Sequence, residues 1–257
     1  NKGFEKWFNL FQNTKYRSSW IDWDATFFLL NSDDDKLHTS FTSSRRKVRK
    51  LKLLIEEIPT VEHVKKRLPE IYKDWYCPRC NIDRETFQHV WLCSCNNLSL
   101  FHIMESFKYD LIEIIQLYNP QVVQQYLDHN TLWNIGDSIV DLTFIDIVKG
   151  FVPGFLTDRL YMLFNNRQLV LDTLLIFYNN LFNSIDDKIW RPRCDAMILK
   201  ERSLNINNRI KKKKSRFQRS NPIPSTSRHI TTDDMVDSEF SLELEIRLEG
   251  NWLGFTM

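Results

Sequence analysis

Three cysteines and one histidine between residues 77 and 93 are spaced as metal ligands. Cys77 and Cys80 bracket a two-residue turn, His89 follows after eight further residues, and Cys93 comes four residues after His89. The pattern is typical of a structural Cys3His site, so we predict that these four residues hold one structural Zn2+. The alternative is a set of ordinary buried cysteines beside a hydrogen-bonded histidine. A catalytic zinc is disfavoured because four protein ligands leave no open position for a substrate.

The elements around the turn are predicted to bring these ligands together. Asn81 is suited to the left-handed backbone that such a turn often requires. The acidic residues after it are expected to open a helix that carries His89 and Cys93 at positions i and i+4, on one face. Cys95 then points to the opposite side as a spare thiol. The sequence therefore favours Cys93 over Cys95 as the fourth ligand.

Nine of the cations that precede the turn fall in two dense groups. Six of them fall within eight residues of an amphipathic helix predicted over 44–57, and three fall in a short helix predicted over 61–68 with Thr60 as its cap. Such density suits contacts with backbone phosphates, so we expect a surface that binds RNA or DNA. The alternative is a solvated helix face, since a basic patch alone is a weak signal. The nine residues are Arg45, Arg46, Lys47, Arg49, Lys50, Lys52, Lys65, Lys66 and Arg67.

Composition and periodicity favour a mainly α fold, a helical bundle with a small Cys3His zinc knuckle and one or two short strands. Glycine and proline are scarce, with six and eight among 257 residues. Leu98, Phe101 and Met104 begin the apolar face of a long helix, and Phe87 and Trp91 are expected to dock the knuckle on the bundle. Helices are predicted over 98–118, from Pro120, and over 137–149, 155–165, 169–190 and 193–206, with a short strand at 27–30.

Five stretches follow one another along the chain. They are an aromatic-rich N-terminal segment with a short strand (1–44), a basic helix with the zinc-binding module (45–96), a helical bundle (97–206), a basic and then Ser/Pro-rich linker (207–238), and an acidic alternating strand and tail (239–257). Residues 1–228 carry a net charge of +8 and residues 229–257 a net charge of −6. A basic body favours polyanions, and an acidic tail is able to compete for the same surface.

Apolar and mostly acidic side chains alternate strictly over 239–248, which predicts a half-buried strand. A lone strand leaves backbone groups unpaired and needs a partner. The candidates are the strand at 27–30, another copy of the chain and a different protein.

Several function classes lack their signals in this sequence. No run of eighteen apolar residues and no secretory leader pattern occurs, so we expect a soluble intracellular protein with no membrane partner. The lysine run at 211–214 indicates a nuclear import signal, with a phosphate-binding arm or plain linker charge as alternatives. No glycine-rich phosphate loop is present, and no small-molecule substrate is indicated. Because residue 1 is Asn, a piece of a longer protein is also considered.

Residues 39–93 resemble the zinc-binding region that lies C-terminal to the reverse transcriptase of non-LTR retrotransposons, in particular in retroelement-derived reading frames of some fungal genomes. The likeness is carried by the basic helix, the Leu-Ile-Glu-Glu-Ile-Pro-Thr segment at 54–60, Cys-Pro-Arg-Cys, the Glu85-Thr86 pair and His-x-x-x-Cys. The Ile-Trp-Arg-Pro-Arg-Cys stretch at 189–194 resembles the C-terminal ends of such proteins. The resemblance implies a module that binds nucleic acid beside a polymerase, with Cys77, Cys80, His89 and Cys93 as zinc ligands.

Three hypotheses for function follow. The first is a non-catalytic, zinc-stabilised nucleic-acid-binding module, in which no residue of this chain is catalytic. The second is a zinc-scaffolded protein-interaction module that recruits a partner by strand addition through 239–248. The third is the C-terminal piece of a longer RNA-directed DNA polymerase, although the chain has no Tyr-x-Asp-Asp hairpin of its own. The aspartate clusters at 33–35, 186–187 and 233–234 are interpreted as caps and turns.

Overall fold

A computed structural model describes residues 8–10, 13–32, 41–122, 124–128, 131–136 and 138–212, with the backbone alone at 41–43 and 124–125. Within these residues the protein is mainly helical, as predicted, and the only β contact is an isolated antiparallel bridge between Ile21 and Pro153. None of the helices in these ranges combines the length and the apolar sequence that crossing a membrane requires. The strand predicted at 239–248, the acidic tail and the second half of the lysine run lie outside the described residues.

The helices are defined here in chain order. They are α1 (Lys15–Ser18), α2 (Trp23–Asn31), α3 (Phe41–Leu54), α4 (Val61–Arg67), α5 (Pro69–Tyr72), α6 (Phe87–Leu92), α7 (Asn97–Gln116), α8 (Phe144–Lys149), α9 (Gly154–Phe164), α10 (Arg167–Ile185) and α11 (Arg191–Ser203). A 3-10 segment, Gln124–Leu127, follows α7, and a π turn, Asp186–Trp190, joins α10 to α11.

The prediction of a strand at 27–30 is wrong, because this stretch belongs to α2. Asp22 caps the helix, with its Oδ1 accepting the Ala25 N–H at 2.9 Å. Ala25 and Leu29, four residues apart, are both buried, which is the spacing of a helix face rather than of a strand. The apolar run that looked like a strand thus belongs to a capped helix that buries Ala25 and Leu29.

Two predicted helix boundaries also move. The helix predicted over 44–57 ends at Leu54, and Glu56 then adopts a left-handed backbone with φ of +64°. Separate helices are predicted over 169–190 and 193–206, with Pro192 breaking or kinking the chain between them, yet α10, the π turn and α11 follow one another without a loop. Pro192 lies in the first turn of α11, where a missing N–H costs no helical hydrogen bond.

The stretches after α7 are less helical than predicted. No α-helix begins at Pro120 in the described residues, and the helix predicted over 137–149 is only Phe144–Lys149. Thr143 begins it, donating its N–H to Asp146 Oδ2 at 2.9 Å, so the helix starts where this cap is available.

The main hydrophobic core is built around α7 and α10. Phe107 of α7 meets Phe177 of α10 edge to face, with ring centroids 5.3 Å apart. Phe87 and Trp91 of α6 are buried in this core, as predicted. Leu98 and Phe101, by contrast, are exposed, because α7 turns a different face inward than its first apolar residues indicated.

A second, smaller hydrophobic cluster lies apart from the main core. Its buried members are Val61, Tyr72, Trp75 and Met197, which join α4 and α5 to α11. The chain between Trp75 and Phe87 therefore runs from the small cluster to the main core. This connecting stretch contains the Cys-Pro-Arg-Cys turn.

A buried charge network ties the N-terminal elements to α8. Asp146 Oδ2 accepts a hydrogen bond from Lys15 Nζ at 3.0 Å, and its Oδ1 accepts one from the Tyr16 hydroxyl at 2.8 Å. Lys149 Nζ donates to the Tyr16 oxygen at 2.7 Å and to Glu56 Oε1 at 2.6 Å. Burial raises the pKa of Asp146, but the charges of Lys149 and Lys15 outweigh burial and lower it.

Replacing Asp146 by Asn is predicted to lower the free energy of unfolding by about 3–5 kcal/mol, because two buried ammonium groups lose their shared anion. The wild-type contribution is fully present above the unfolded pKa of about 3.9 and is lost as the pH falls through the lower folded pKa. Urea denaturation at several pH values measures both effects. The acid limb of the stability profile is expected to be flatter in Asp146→Asn than in the wild type.

Asp172→Asn is the matched control for this substitution. Asp172 is exposed on α10 and accepts one hydrogen bond from Gln168 at 2.9 Å. Its replacement is expected to change stability by less than about 0.5 kcal/mol. Equal changes in the free energy of unfolding for the two substitutions would show that the buried network contributes no more to stability than an exposed carboxylate does.

Candidate metal centre

The Cys-Pro-Arg-Cys turn is closed by backbone hydrogen bonds. The Cys77 N–H donates to the Asp83 carbonyl at 2.8 Å, and the Asn81 N–H donates to the Cys77 carbonyl at 2.9 Å. Asn81 has a φ of +57°, the left-handed conformation that the sequence predicted for it. The turn thereby holds Cys77 and Cys80 on the same short loop.

The third and fourth residues come from α6 and its end. Thr86 caps α6, its hydroxyl oxygen accepting the His89 N–H at 3.2 Å. The helix was expected to continue through Cys93, but its last residue is Leu92 and Cys93 is its C-cap, with φ of −54° and ψ of 134°. The predicted helix is therefore shorter at this end, while His89 and Cys93 keep their spacing of one turn. The Cys93 N–H still bonds to the His89 carbonyl at 2.8 Å, which keeps the two residues adjacent.

The four side chains form one compact cluster. Their candidate ligand atoms all lie within 4.8 Å of one another. Cys77 Sγ is 3.9 Å from Cys93 Sγ, and Cys80 Sγ is 3.5 Å from His89 Nε2. Three sulfurs and one imidazole nitrogen at these separations are compatible with binding a single metal ion.

Cys95 stays outside this cluster. It is exposed, whereas Cys77 and Cys93 are buried. Its carbonyl accepts a hydrogen bond from Arg79 Nη2 at 3.4 Å, so the backbone at Cys95 faces the turn while its thiol does not join the other three. The structure thus brings Cys93, and not Cys95, to the cluster.

Burial gives the three clustered thiols different acidities. Burial raises the pKa of Cys93 to about 12, with the neighbouring Cys77 adding to the effect, and it raises the pKa of Cys77 as well. Burial also raises the pKa of Cys80, but hydrogen bonds from the backbone N–H groups of Asp83 and Ile82 outweigh burial and lower this pKa to about 7. Metal binding to the two buried thiols must therefore release protons near neutral pH.

Asp83 lies beside the histidine of the cluster. Its Oδ2 is 4.0 Å from His89 Nδ1, while Nε2 is the ring nitrogen nearest Cys80. A carboxylate near the distal nitrogen of a metal-binding histidine helps to fix the ring orientation. The exposed Asp83 carboxylate lies near this nitrogen, although 4.0 Å is longer than a hydrogen bond.

Glu85, between the second and third ligands, carries a fully buried charge. It is 0% exposed, and its carboxylate accepts hydrogen bonds from Arg193 Nε at 2.9 Å and Arg193 Nη2 at 2.5 Å. Its Oε2 also accepts the Val61 N–H at 2.8 Å, at the start of α4. Burial by itself would lower the pKa of Arg193, but the neighbouring Glu85 carboxylate outweighs burial and raises the pKa of Arg193. We call residues 77–86, which carry Cys77 and Cys80 and precede α6, the ligand loop. Glu85 thus joins the ligand loop to α4 and α11.

Sequence reasoning did not assign a role to this pair. Both residues stood in stretches noted for a family likeness, at 85–86 and 189–194, yet nothing in their spacing connects positions 108 residues apart. A second contact supports the same junction, because Lys200 of α11 donates to Asn81 Oδ1 at 2.7 Å. The ligand loop is therefore attached to α11 at two points.

Part of the predicted basic surface faces the protein itself. Arg49 pairs with Asp186 of the π turn. Lys50 Nζ donates to the Leu29 carbonyl at 3.2 Å and lies 5.6 Å from the centre of the Phe182 ring. At these two positions the basic residues of α3 contact α2, α10 and the π turn rather than pointing freely into solvent.

The remaining predicted cations are at or near the surface. Lys65 pairs with Glu62 at 2.6 Å within α4. Two of the others are exposed, namely Arg46 and Lys66. The remaining four are half-buried, namely Arg45, Lys47, Lys52 and Arg67.

The pKa of His63 indicates that positive charge from α3 and α4 acts at one place. This pKa is lowered to about 4, first by burial and then by the charges of Arg67, Lys66 and Lys52. Lys52 belongs to α3, whereas the other two cations belong to α4. The two basic stretches of the sequence therefore converge around one neutral histidine. We call Lys52, Lys66 and Arg67 the basic cluster.

No family model matches this chain, and neither a curated protein nor a solved structure matches it. No family is therefore assigned to the protein. Its function has to be inferred from the metal-ligand cluster, the basic cluster and the contacts that join them.

Replacing Glu85 by Gln is predicted to lower the free energy of unfolding by about 3–5 kcal/mol, because Arg193 then stays buried without its anion. Metal content is expected to persist, because Glu85 is not one of the four clustered residues. Urea denaturation and metal analysis of the purified variant provide the two measurements. Hydrogen exchange in α4 and α11 is expected to increase together.

The control is Glu62→Gln, which removes a charge from α4 without touching the buried pair. Glu62 makes a short surface ion pair, so its loss is expected to cost less than about 1 kcal/mol. A Glu85→Gln protein as stable as Glu62→Gln would show that the buried pair does not hold these helices together.

Proposed function

We propose that this chain is a non-catalytic, zinc-stabilised nucleic-acid-binding module. A structural Zn2+ held by Cys77, Cys80, His89 and Cys93 stabilises the loop that supports α4, and the basic cluster contacts backbone phosphates. A relation to the zinc-binding region of non-LTR retrotransposon proteins is part of this proposal. It rests on the sequence motifs alone.

Zinc is favoured by the donor set and by the distances. A tetrahedral ion with Zn–S bonds of about 2.3 Å and a Zn–N bond of about 2.0–2.1 Å holds two sulfurs about 3.8 Å apart and a sulfur and a nitrogen about 3.6 Å apart. The Cys77–Cys93 and Cys80–His89 separations are 3.9 and 3.5 Å. Soft thiolates also favour zinc over the hard cations calcium and magnesium.

A structural role is favoured over catalysis at this centre. Four protein side chains are available, so a tetrahedral ion has no position left for a reacting water. Two of the thiols, Cys77 and Cys93, are almost wholly buried, which also restricts access to the ion.

The nucleic-acid part rests on one feature, namely that the charges of Arg67, Lys66 and Lys52 all act on His63 and lower its pKa. Cations from two helices at one place give a local positive potential that a single solvated helix face does not. His63 adds no charge at neutral pH, because its pKa is about 4. Contacts of this kind give affinity without sequence preference.

The metal centre and the basic cluster are connected through Glu85. Its carboxylate accepts the Val61 N–H at the first residue of α4, the helix that carries Lys66 and Arg67. The carboxylate itself lies on the loop between Cys80 and His89. A zinc ion that orders this loop would thus hold the N-terminus of α4 in place.

Metal analysis is expected to find one zinc per chain in the purified protein. Cys77→Ser is predicted to lose the zinc and to be strongly destabilised, because structural zinc contributes on the order of 10 kcal/mol in small sites. The readouts are metal content and the midpoint of thermal unfolding. Hydrogen exchange across 77–93 is expected to rise in the same variant.

Cys95→Ser is the matched control, since Cys95 is exposed and outside the cluster. It is expected to keep both the zinc and the wild-type unfolding midpoint. A metal-free wild-type protein with full protection of 77–93 would refute the zinc assignment.

Nucleic-acid binding is tested with the triple variant Lys52→Gln, Lys66→Gln, Arg67→Gln. Fluorescence anisotropy with single-stranded RNA and DNA oligonucleotides is expected to show wild-type binding that weakens steeply with salt. In the variant, the slope of log K against log salt is expected to become less steep by about 2, or about 0.7 for each lost phosphate contact.

A control of equal charge separates this surface from net charge alone. Arg17, Lys188 and Arg202 are exposed and lie on other elements, so their replacement by Gln removes the same three charges. This control is expected to keep the wild-type slope. Wild-type binding by the first variant, or no binding by the wild type, would contradict the proposal.

A further inference from the structure

An open cleft of about 370 Å3 lies between the start of α2 and α9. Its volume falls in the range of small-molecule sites. The residues around it come from the segment before α2, from α9 and from the first turn of α10. None of them belongs to the metal-ligand cluster or to the basic cluster, so the cleft is independent of the proposed function.

Two aromatic rings stand exposed at this cleft. Trp20 is 65% exposed and Tyr161 is 46% exposed, so both rings are accessible to a ligand. The Trp20 indole lies directly on Gly154, where an added Cβ would come within 2.6 Å of the ring. The Trp20 carbonyl also accepts the Gly154 N–H at 2.9 Å. The indole is thus held in place before any ligand arrives.

The cleft carries an excess of negative charge. Three carboxylates and one guanidinium line it, which gives a net charge of −2. Arg167 is occupied by Asp22, to which it donates two hydrogen bonds of 2.6 and 2.8 Å. The charges of Asp24 and Asp158 therefore set the sign of the potential in the cleft. Asp24 is exposed and Asp158 is half-buried.

This combination selects among ligand classes. Phosphates and nucleic acid are disfavoured by the negative charge. A metal ion is disfavoured as well, because among the described residues only the Cys77–Cys93 cluster places three or more ligand groups close enough to share one. Aromatic faces beside carboxylates attract organic cations, through the ring quadrupole and the opposite charge together.

We propose that the cleft binds an alkylammonium group between Trp20 and Tyr161, with Asp158 beside the cationic head. Two sources share this chemistry, a small free quaternary amine and a lysine side chain, methylated or not, of a polypeptide. The methyl and methylene groups contact the two rings, and the charge is shared between the ring faces and the carboxylate.

The first test compares a cation with its neutral isostere. Choline and 3,3-dimethylbutan-1-ol have nearly the same shape but differ in charge. In an NMR titration that follows the indole N–H of Trp20, assigned with Trp20→Phe, choline is expected to bind about tenfold more tightly than the alcohol. Equal affinities for choline and the alcohol would overturn the proposal. The absence of a saturable shift with both choline and Nα-acetyl-Nε-trimethyllysine amide would also overturn it.

The second cation distinguishes the two sources. Nα-acetyl-Nε-trimethyllysine amide presents the same head group on a peptide-like stem. Tighter binding of this compound than of choline supports a polypeptide ligand, and the reverse supports a free amine.

Two variants locate the site. Tyr161→Leu is expected to weaken cation binding about tenfold, and Asp158→Asn about threefold with a weaker salt dependence. Asp158→Asn preserves the side-chain shape, so it remains informative if Tyr161→Leu reduces stability. Tyr109→Leu, at an exposed tyrosine of α7, is the control and is expected to bind as the wild type. Wild-type affinity in both cleft variants would overturn the assignment.

Discussion

The Glu85 carboxylate and the Arg193 guanidinium meet in the interior, where neither charge has access to water. Isolated burial of either group costs several kcal/mol, and two hydrogen bonds between them offset that cost only while both are in place. The pair therefore constrains everything that touches it. The ligand loop, the first turn of α4 and the first turn of α11 have to assemble together, because the Val61 N–H depends on the same carboxylate.

This constraint explains why a metal ion would be useful at this place. The small hydrophobic cluster of Val61, Tyr72, Trp75 and Met197 contains few fully buried side chains, and clusters of this size stabilise little by themselves. A metal ion bound by the four clustered residues of the neighbouring loop would add stability without more apolar surface. The same loop joins the small cluster to the main core through Phe87. Under the proposed function, a metal ion and a long-range ion pair would together take the place of a larger core.

Charge is distributed unevenly over the described surface. The basic cluster comes from α3 and α4, whereas the cleft lined by Trp20 and Tyr161 is acidic. Ligands of opposite charge would therefore be attracted to different helices. Lysine and arginine residues that looked equivalent in the sequence divide into two groups. Arg49 and Lys50 contact α2, α10 and the π turn, whereas the charge of Lys52 helps to lower the pKa of His63 in α4.

The sequence by itself determined the four clustered residues, the left-handed Asn81, the Thr60 cap and the mainly helical fold. Each of these depends on residues close together in the chain, so spacing and local propensity are sufficient. Only the tertiary structure decided that 27–30 is helical and that Arg49 and Lys50 contact other elements of the fold. It also decided that Glu85 meets Arg193. These features depend on which helices pack together, and the energy of burying a charge or a ring belongs to contacts between distant residues that local spacing does not encode.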